Sequence, residues 1–250
     1  MSQLKFIALS KTFSSGSEKI QVIQDFNWEV NKGQFVTILG SNGSGKSTLL
    51  NLISGKTQPD SGKILLDQQE IQQIPEYSRS KWIARVFQDP FQGTASELSI
   101  LENFRLAAVR NTTKGLGIHT GKSFQELVQS KVKLLKLGLE NKLDQRMGLL
   151  SGGQRQALTL LMATMTEAKL VLMDEPTAAL DPKTSKLIME FAQQLHEEMG
   201  WTTFMVTHQL KDAKHFGDRM VMMKSGKIFK DIQGEEKKSI ELTEIVNWFD

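Results

Sequence analysis

The sequence predicts an α/β fold with a mainly parallel sheet, and three observations predict it. FVTIL (35–39), LVLM (170–173) and TTFMV (202–206) are short apolar runs, the pattern of strands covered on both faces. Helical patterns lie between them, and strand–helix–strand order favours right-handed crossovers. A Gly-rich loop, GSNGSGKS (40–47), joins the first run directly to TLLNLISG, which reads as a helix.

Along the chain, the next region differs. From about 90 to 150 the patterns LENFRLAAV and SFQELVQSKVKLLKLGL are helical and no strand stands out. Ser99 and Glu102 have the spacing of a capping box. RNTTKGLGIHTGK (110–122) reads as a surface loop. Residues 90–154 are therefore expected to form a helical lobe inserted into a core of 1–89 and 155–250, all within one domain. Asp181 and Pro182 supply an N-cap and first-turn pair for a helix that Gly200 stops. Leu187, Ile188, Phe191, Leu195 and Met199 are expected on its buried face. DRMVMMKSGKIFKDI reads as a hairpin turning at Ser225-Gly226. The tail KKSIELTEIVNWFD is either a closing helix on the core or a contact with a second subunit. No internal repeat is visible.

Composition excludes several classes. The 250 residues contain no cysteine, so there are no disulfides or thiolate metal sites, and a reducing compartment is expected. The formal charge of +3 is modest and mixed along the chain, so no nucleic-acid partner is expected. MSQLKFIALSKTF lacks the apolar stretch of a signal peptide, and no run approaches the roughly 20 apolar residues of a membrane span. Any membrane role is expected to come through a partner.

Residues 40–47 match G-x-x-x-x-G-K-[ST] in strand–loop–helix context. The glycines let successive N–H groups face phosphate oxygens, Lys46 reaches the β- and γ-phosphates, and the Ser47 hydroxyl ligates Mg²⁺. The loop alone defines a superclass that includes kinases, GTPases, recombinases and transport ATPases. LVLMDEPTAALDP (170–182) puts Asp174 and Glu175 at the carboxyl end of an apolar strand, where α/β sheets bind ligands. Asp174 is placed to hold Mg²⁺, and Glu175 to accept a proton from, or orient, the attacking water. His208 follows TTFMV; such a histidine is usually structural, but a neighbouring strand would bring it to the γ-phosphate. Gln88, in RVFQDP, ends another apolar run and taken alone reads as a polar turn residue. His119, His196 and His215 lack metal-ligand spacing. The Met-rich stretches at 162–173 and 220–223 fit core filling. LLSGGQRQ (149–156) adds a second Gly-rich, phosphate-facing turn before a helix, which one nucleotide site does not need.

GSNGSGKST, VFQDP, LLSGGQRQ, LVLMDEPTAALDP and MVTH together resemble the ATP-binding subunits of ABC transporters, from about residue 3 to 230. The resemblance implies a P-loop core with a mainly parallel sheet, an antiparallel N-terminal β portion and an inserted helical subdomain. It assigns Gly40, Ser41, Asn42, Gly43, Ser44, Gly45, Lys46, Ser47 and Thr48 to the ATP phosphates and Phe13 to the adenine. Gln88 would contact Mg²⁺ and the attacking water, Glu175 would be the catalytic carboxylate, and His208 would orient the γ-phosphate. Leu150, Ser151, Gly152, Gly153 and Gln154 would form the signature loop facing ATP on a second subunit, with Ala179, Leu180 and Asp181 crossing to that subunit. Serine is usual in the family where Ala178 stands.

The implied cofactors are ATP and Mg²⁺. The implied partners are a second ATPase chain, a transmembrane permease and, through it, a substrate-binding lipoprotein. FQGTASELSILENF lies where a permease helix docks. The implied location is peripheral, on the cytoplasmic face of the membrane. The segment VFQDPFQGTASELSILENFRLA further resembles importers of amino-acid-like solutes, including tryptophan/tyrosine systems. The alternative is a soluble ABC ATPase of an assembly complex, such as one serving iron–sulfur clusters. A P-loop kinase or GTPase is a third reading, and LSGGQ and the helical lobe argue against it.

Overall fold

The computed structural model describes residues 2–16, 18–109 and 121–249. Most of the loop expected over 110–122, and His119 with it, lies outside the described residues. Two long antiparallel strands, β1 (Ser2–Ser15) and β2 (Glu18–Asn31), join β4 (Ser61–Leu66) and β5 (Gln69–Glu70) in one sheet, ordered β2-β1-β4-β5. Alternation buries Leu4 and Phe6 on β1 and Phe26, Trp28 and Val30 on β2, and irregularities at Ala8 and Asp25 shift the phase so that Leu9 and Ile23 are buried too.

The second sheet runs β10-β9-β3-β8-β7-β6. Its strands are β3 (Phe35–Leu39), β6 (Ile83–Val86), β7 (Leu170–Asp174), β8 (Thr202–Val206), β9 (Arg219–Lys224) and β10 (Lys227–Gln233). All pairings are parallel except the β9–β10 hairpin, which turns at Ser225 and Gly226 with φ of 50° and 74°. Every residue of β3 and β8 is buried, as a two-sided strand requires. Trp28 joins the sheets, its ring 6.0 Å from Phe6 and 5.8 Å from Phe204 of β8.

Helix α1 (Lys46–Ser54) leaves the Gly-rich loop and packs between the sheets. Its carbonyl end is closed by the fully buried Arg79 of α2 (Glu76–Arg79), which donates to Leu52 and Ile53 at 2.7 and 2.9 Å. Burial pushes that guanidinium down to about 10, with Glu76 opposing.

Three further helices form the lobe: α3 (Ile100–Ala108), α4 (Lys122–Lys133) and α5 (Gly152–Ala163). The expected capping box starts α3, with Ser99 and Glu102 exchanging both bonds. Ala157, Leu158 and Leu161 of α5 share one apolar cluster with Phe104 and Val128 of the lobe and with Val171, Met173 and Met205 of the sheet. The lobe therefore has no separate core; α5 belongs to both sides.

Helix α6 (Pro182–Met199) starts at Asp181 and stops at Gly200, whose φ is 63°. Its buried face holds Ile188, Phe191 and Leu195 as expected, but Leu187 and Met199 are exposed and Met189, Ala192 and His196 are buried instead. The buried arc is centred near Ala192, which leaves Leu187 beyond its edge, while Met199 lies within the arc but is the last residue of the helix. The tail forms α8 (Gly234–Ser239) and α9 (Leu242–Asn247), following α7 (Leu210–His215). Ile240, Ile245 and Trp248 pack on Leu39, Ala213, Met220 and Met222, so the tail closes the core.

His196 is buried, with Nδ1 3.0 Å from Thr203 Oγ1 and its ring 5.1 Å from that of Phe35. Burial holds its pKa below the ordinary 6.5, against the pull of Asp218 and Glu197. The unfolded chain then binds the extra proton first, so this stability is full above that range and is lost on acidification. Urea midpoints at about pH 7.5 and about pH 5.5 are expected to separate more for the wild type than for His196→Asn. Equal separations would mean that His196 contributes nothing to acid sensitivity.

Candidate functional site

The Gly-rich loop curls between β3 and α1. Gly40 has φ 153°, and a Cβ there would lie 2.5 Å from both the Met223 carbonyl and Ser44 Oγ. Gly45, at φ 101°, would meet Ile23 Cδ1 at 2.9 Å. Side chains at these two positions would push the loop off its bed. Lys46 is buried and its ammonium donates to the carbonyls of Gly40 and Ser41 at 2.8 and 2.9 Å. Burial lowers its pKa, while Glu175 and Asp174 raise it.

Asp174 ends β7, and its Oδ1 accepts from the Ser47 hydroxyl at 3.2 Å. Its Oδ2 lies 3.6 Å from Nη2 of Arg85, which reaches across from β6. Burial pushes the Arg85 guanidinium down, and Asp174 is the first charge opposing that. Glu175 sits one residue beyond the strand with φ 46°, its N–H donating to the Val206 carbonyl at 3.0 Å. That left-handed backbone is strained for a glutamate. It turns the carboxylate between two neighbours: Oε1 lies 2.8 Å from His208 Nε2, and Oε2 accepts from Gln88 Nε2 at 3.1 Å. Groups beyond β6, β7 and β8 thus converge on one carboxylate.

Beside them is a cavity of about 320 Å³, lined by Asn42, Gly43, Gly45 to Thr48, Glu175, His208 and, at its mouth, Phe13 and Ile20. Phe13 and Ile20 are cross-strand partners, 41% and 52% exposed. They form an open apolar shelf fit for a flat ring. Gly40 lies under the loop, Ser41 contributes its carbonyl to Lys46, and Ser44 is buried.

The second Gly-rich turn is elsewhere. None of Leu150 to Gln154 lines the cavity around Lys46. Leu150 is buried, and Ser151 is exposed as the N-cap of α5, in a capping box with Gln154. Gly152 faces Leu180, and Gly153 faces Thr184 at the start of α6. Asp181 caps α6 by accepting from Lys183 and Thr184 at 3.1 and 3.0 Å, and the bonds from Thr184 hold its carboxyl below the ordinary range. Ala179 lines a separate cavity of about 470 Å³ with Gln88, Arg85 and Asp174.

Three buried or half-buried cations escape a motif search, one of them at the site. Arg85 is the one that pairs with Asp174. Arg155 is fully buried in α5, its guanidinium 3.8 Å over the Phe91 ring, while its neighbour Gln156 donates to the Phe87 carbonyl at 2.9 Å. These contacts fasten the signature helix to the Gln88 segment. Lys237, in the tail, is buried too. The available signal is a charge inside an apolar run, as in IARV and RQALTLL.

Fold and site define a P-loop nucleoside triphosphatase, in which a lysine loop on a central strand faces an acidic strand end. A family model for the ABC transporter matches residues 23–178. The chain is 40% identical over 246 residues to the "Tyrosine transport ATP-binding protein" of Clostridioides difficile, covering 97% of this chain and 96% of that one. It is 34% identical to a "Macrolide export ATP-binding/permease protein" of Campylobacter fetus, covering 91% of this chain but 34% of that protein. Among solved structures, a dimeric ATP-binding cassette in a post-hydrolysis state with ADP and Pi is 31% identical, with a TM-score of 0.79 over 92% of this chain and 98% of that one. The chain belongs to the ABC transporter family and is an ATPase of the ATP-binding cassette type.

Gly153 offers a direct test of the signature turn's seat. A Cβ there would lie 2.2 Å from Thr184 Cγ2. Gly153→Ala is expected to cost about 1–3 kcal/mol in urea unfolding, and Thr184→Ala to recover at least about half of it. Additive losses would show that the two helices do not meet there.

Proposed function

We propose that this chain is the ATP-hydrolysing subunit that powers solute import through a separate transmembrane permease, acting as a dimer. The observation that carries the reading is the division of the site. Glu175, His208 and Lys46 line one cavity and Gln88 bonds Glu175 from beside it, while Ser151 to Gln154 lie outside that cavity, with Ser151 exposed. A second chain would bring its own Ser151, Gly152 and Gly153 to the phosphate held here, with the positive end of its α5 behind them.

The residues fit Mg²⁺. The Ser47 hydroxyl and the Asp174 carboxylate are hard oxygen donors in mutual contact. Bound there, the ion would neutralise charge on the transferring phosphoryl group. The protein's own groups do the rest. Lys46 exchanges its loop carbonyls for phosphate oxygens, and Phe13 stacks on the base. Glu175 accepts a proton from the attacking water, held in line by Gln88 and His208. Closure completes the charge environment, so hydrolysis and dimer opening are coupled.

The 40% identity to a tyrosine transport subunit supports amino-acid-like cargo. Among the described residues no helix is long and apolar enough to cross a membrane, which fits docking on a permease. A groove of about 270 Å³ lined by Ser54, Glu76, Phe87 and Gly93, with Tyr77 and Phe91 exposed nearby, supports docking beside the Gln88 segment. Location on the cytoplasmic face, and a substrate-binding lipoprotein, belong to the same reading. Uptake of labelled tyrosine into vesicles carrying the permease and internal ATP, against its export, tests direction and cargo together.

Glu175→Gln is expected to keep ATP binding, to lower kcat by at least about 100-fold and to accumulate as a dimer with ATP. Turnover near the wild-type rate would remove Glu175 from its role. Ser151→Arg and Lys46→Ala chains should each be inactive alone. Mixed equally, they should recover up to about a quarter of wild-type activity, because only the mixed dimer holds one intact site. No recovery in a mixture shown to exchange chains would overturn the shared site.

A further inference from the structure

We propose that Lys237 is a positioning residue for ATP hydrolysis: by fastening the end of α7 to the C-terminal helices, it holds His208 against Glu175. This rests on the reading of His208 as the group that orients the attacking water and the γ-phosphate.

The path is continuous in the structure. Helix α7 begins two residues after His208 and has only six residues, with no side-chain cap at Gln209. A helix so short does not hold itself. One side of it, with Lys211, Asp212 and His215, borders a cavity of about 780 Å³ shared with Pro182 and Lys186 of α6. On that side α7 has little packing. Its anchors lie opposite: the Ala213 carbonyl accepts from Thr37 Oγ1 at 3.0 Å, and Ala213 packs on Ile240, Ile245 and Trp248. The same cluster holds Leu39, the residue before Gly40. At its carbonyl end, Lys237 Nζ donates to Phe216 O and, at 2.6 Å, to Gly217 O. At the other end, His208 reaches Glu175 at 2.8 Å, and Gln209 N donates to Thr207 Oγ1 at 3.0 Å.

The chemistry of Lys237 argues for a function of its charge. The residue is 3% exposed. Burial pushes its ammonium down to about 8, with Asp218 opposing. An apolar side chain of the same length would fill the space without that desolvation. What it could not do is bond two carbonyls at a helix end, where a cation is also favoured by the dipole. Phe216 to Asp218 are a crossing point: Gln193 of α6 accepts from Gly217 N at 3.2 Å, and Asp218 accepts from Phe35 N at 2.9 Å. Lys237 therefore fixes α7 to β3 and α6 as well as to the tail.

The test is a double-mutant cycle in the full chain, read by steady-state ATP hydrolysis. Lys237→Met is expected to lower kcat about tenfold while KM for ATP changes less than about twofold. In a His208→Ala background the same substitution should change kcat by less than about twofold, since the group it positions is gone. An unchanged kcat in Lys237→Met, or an equal fold-loss in both backgrounds, would overturn the proposal in favour of a purely structural lysine. Wild-type turnover in His208→Ala alone would instead overturn the reading of His208, whatever Lys237 does. Should Lys237→Met not accumulate as folded protein, Lys237→Gln takes its place in the cycle under the same criteria.

Discussion

The parallel ladder of β3, β8, β7 and β6 is the constraint on which the rest depends. Its register sets Ile38 opposite Val206, Val206 opposite Asp174 and Met173 opposite Val86. Each strand therefore ends at the same edge, and just beyond each end stands a residue of the candidate site: Gly40, His208, Glu175 and Gln88. A slip of one residue in any pairing would turn every side chain of that strand to the opposite face. Phe35 and Met205 pack in one cluster and Val36, Ile38, Phe204 and Val206 in another, so a slip would misfit both faces of β3 and β8. The geometry of the candidate site is thus a by-product of core packing, continued one residue past β7 by the Glu175 N–H on Val206.

A consequence of that arrangement is that α5 cannot join its own chain's site. Its N-terminus is pinned by Gly153 against Thr184 and by Arg155 and Gln156 against the Phe87–Phe91 segment. The capping box already uses the N–H groups of Ser151 and Gln154. Those of Gly152 and Gly153 have no partner within a helix at that position. Under the proposed dimer, they would be the groups offered to the phosphate held by the second chain, which is how one sequence comes to carry two such loops.

Legibility followed the distance between partners. FVTIL and TTFMV were readable because a two-sided strand declares itself in five adjacent letters. Residues 40–48 and 170–182 were readable because their chemistry runs along contiguous backbone. β1 and β2 were harder, since positive-φ residues at Ala8 and Asp25 interrupt their alternation. Leu187 misled because periodicity gives a stripe but not its edges, and Met199 because it is the last residue of its helix. Arg85, Arg155 and Lys237 were illegible because each answers to groups far away in sequence: Asp174, Phe91 and Phe216. The tail left two readings open because its apolar residues do not say which surface they cover; here Ile240, Ile245 and Trp248 pack on Leu39 and Ala213.

Three of the buried cations share one logic and differ in one respect. Arg79 bonds carbonyls at the end of α1, Lys237 those at the end of α7, and Lys46 those of Gly40 and Ser41. In each case a positive charge satisfies backbone acceptors; for Arg79 and Lys237 these lie in the interior, while Ser41 is exposed and its carbonyl also accepts from Ser44 N. Arg79 and Lys237 are enclosed on all sides, so exchanging their acceptors would require unpacking helices. Lys46 alone lines an open cavity, with Asp174 and Glu175 acting on its charge from across that space. The same bond is a rivet in two places and a latch in the third. What makes it a latch is not the lysine but its outlook: under the proposed function, phosphate oxygens entering that cavity would replace the loop carbonyls.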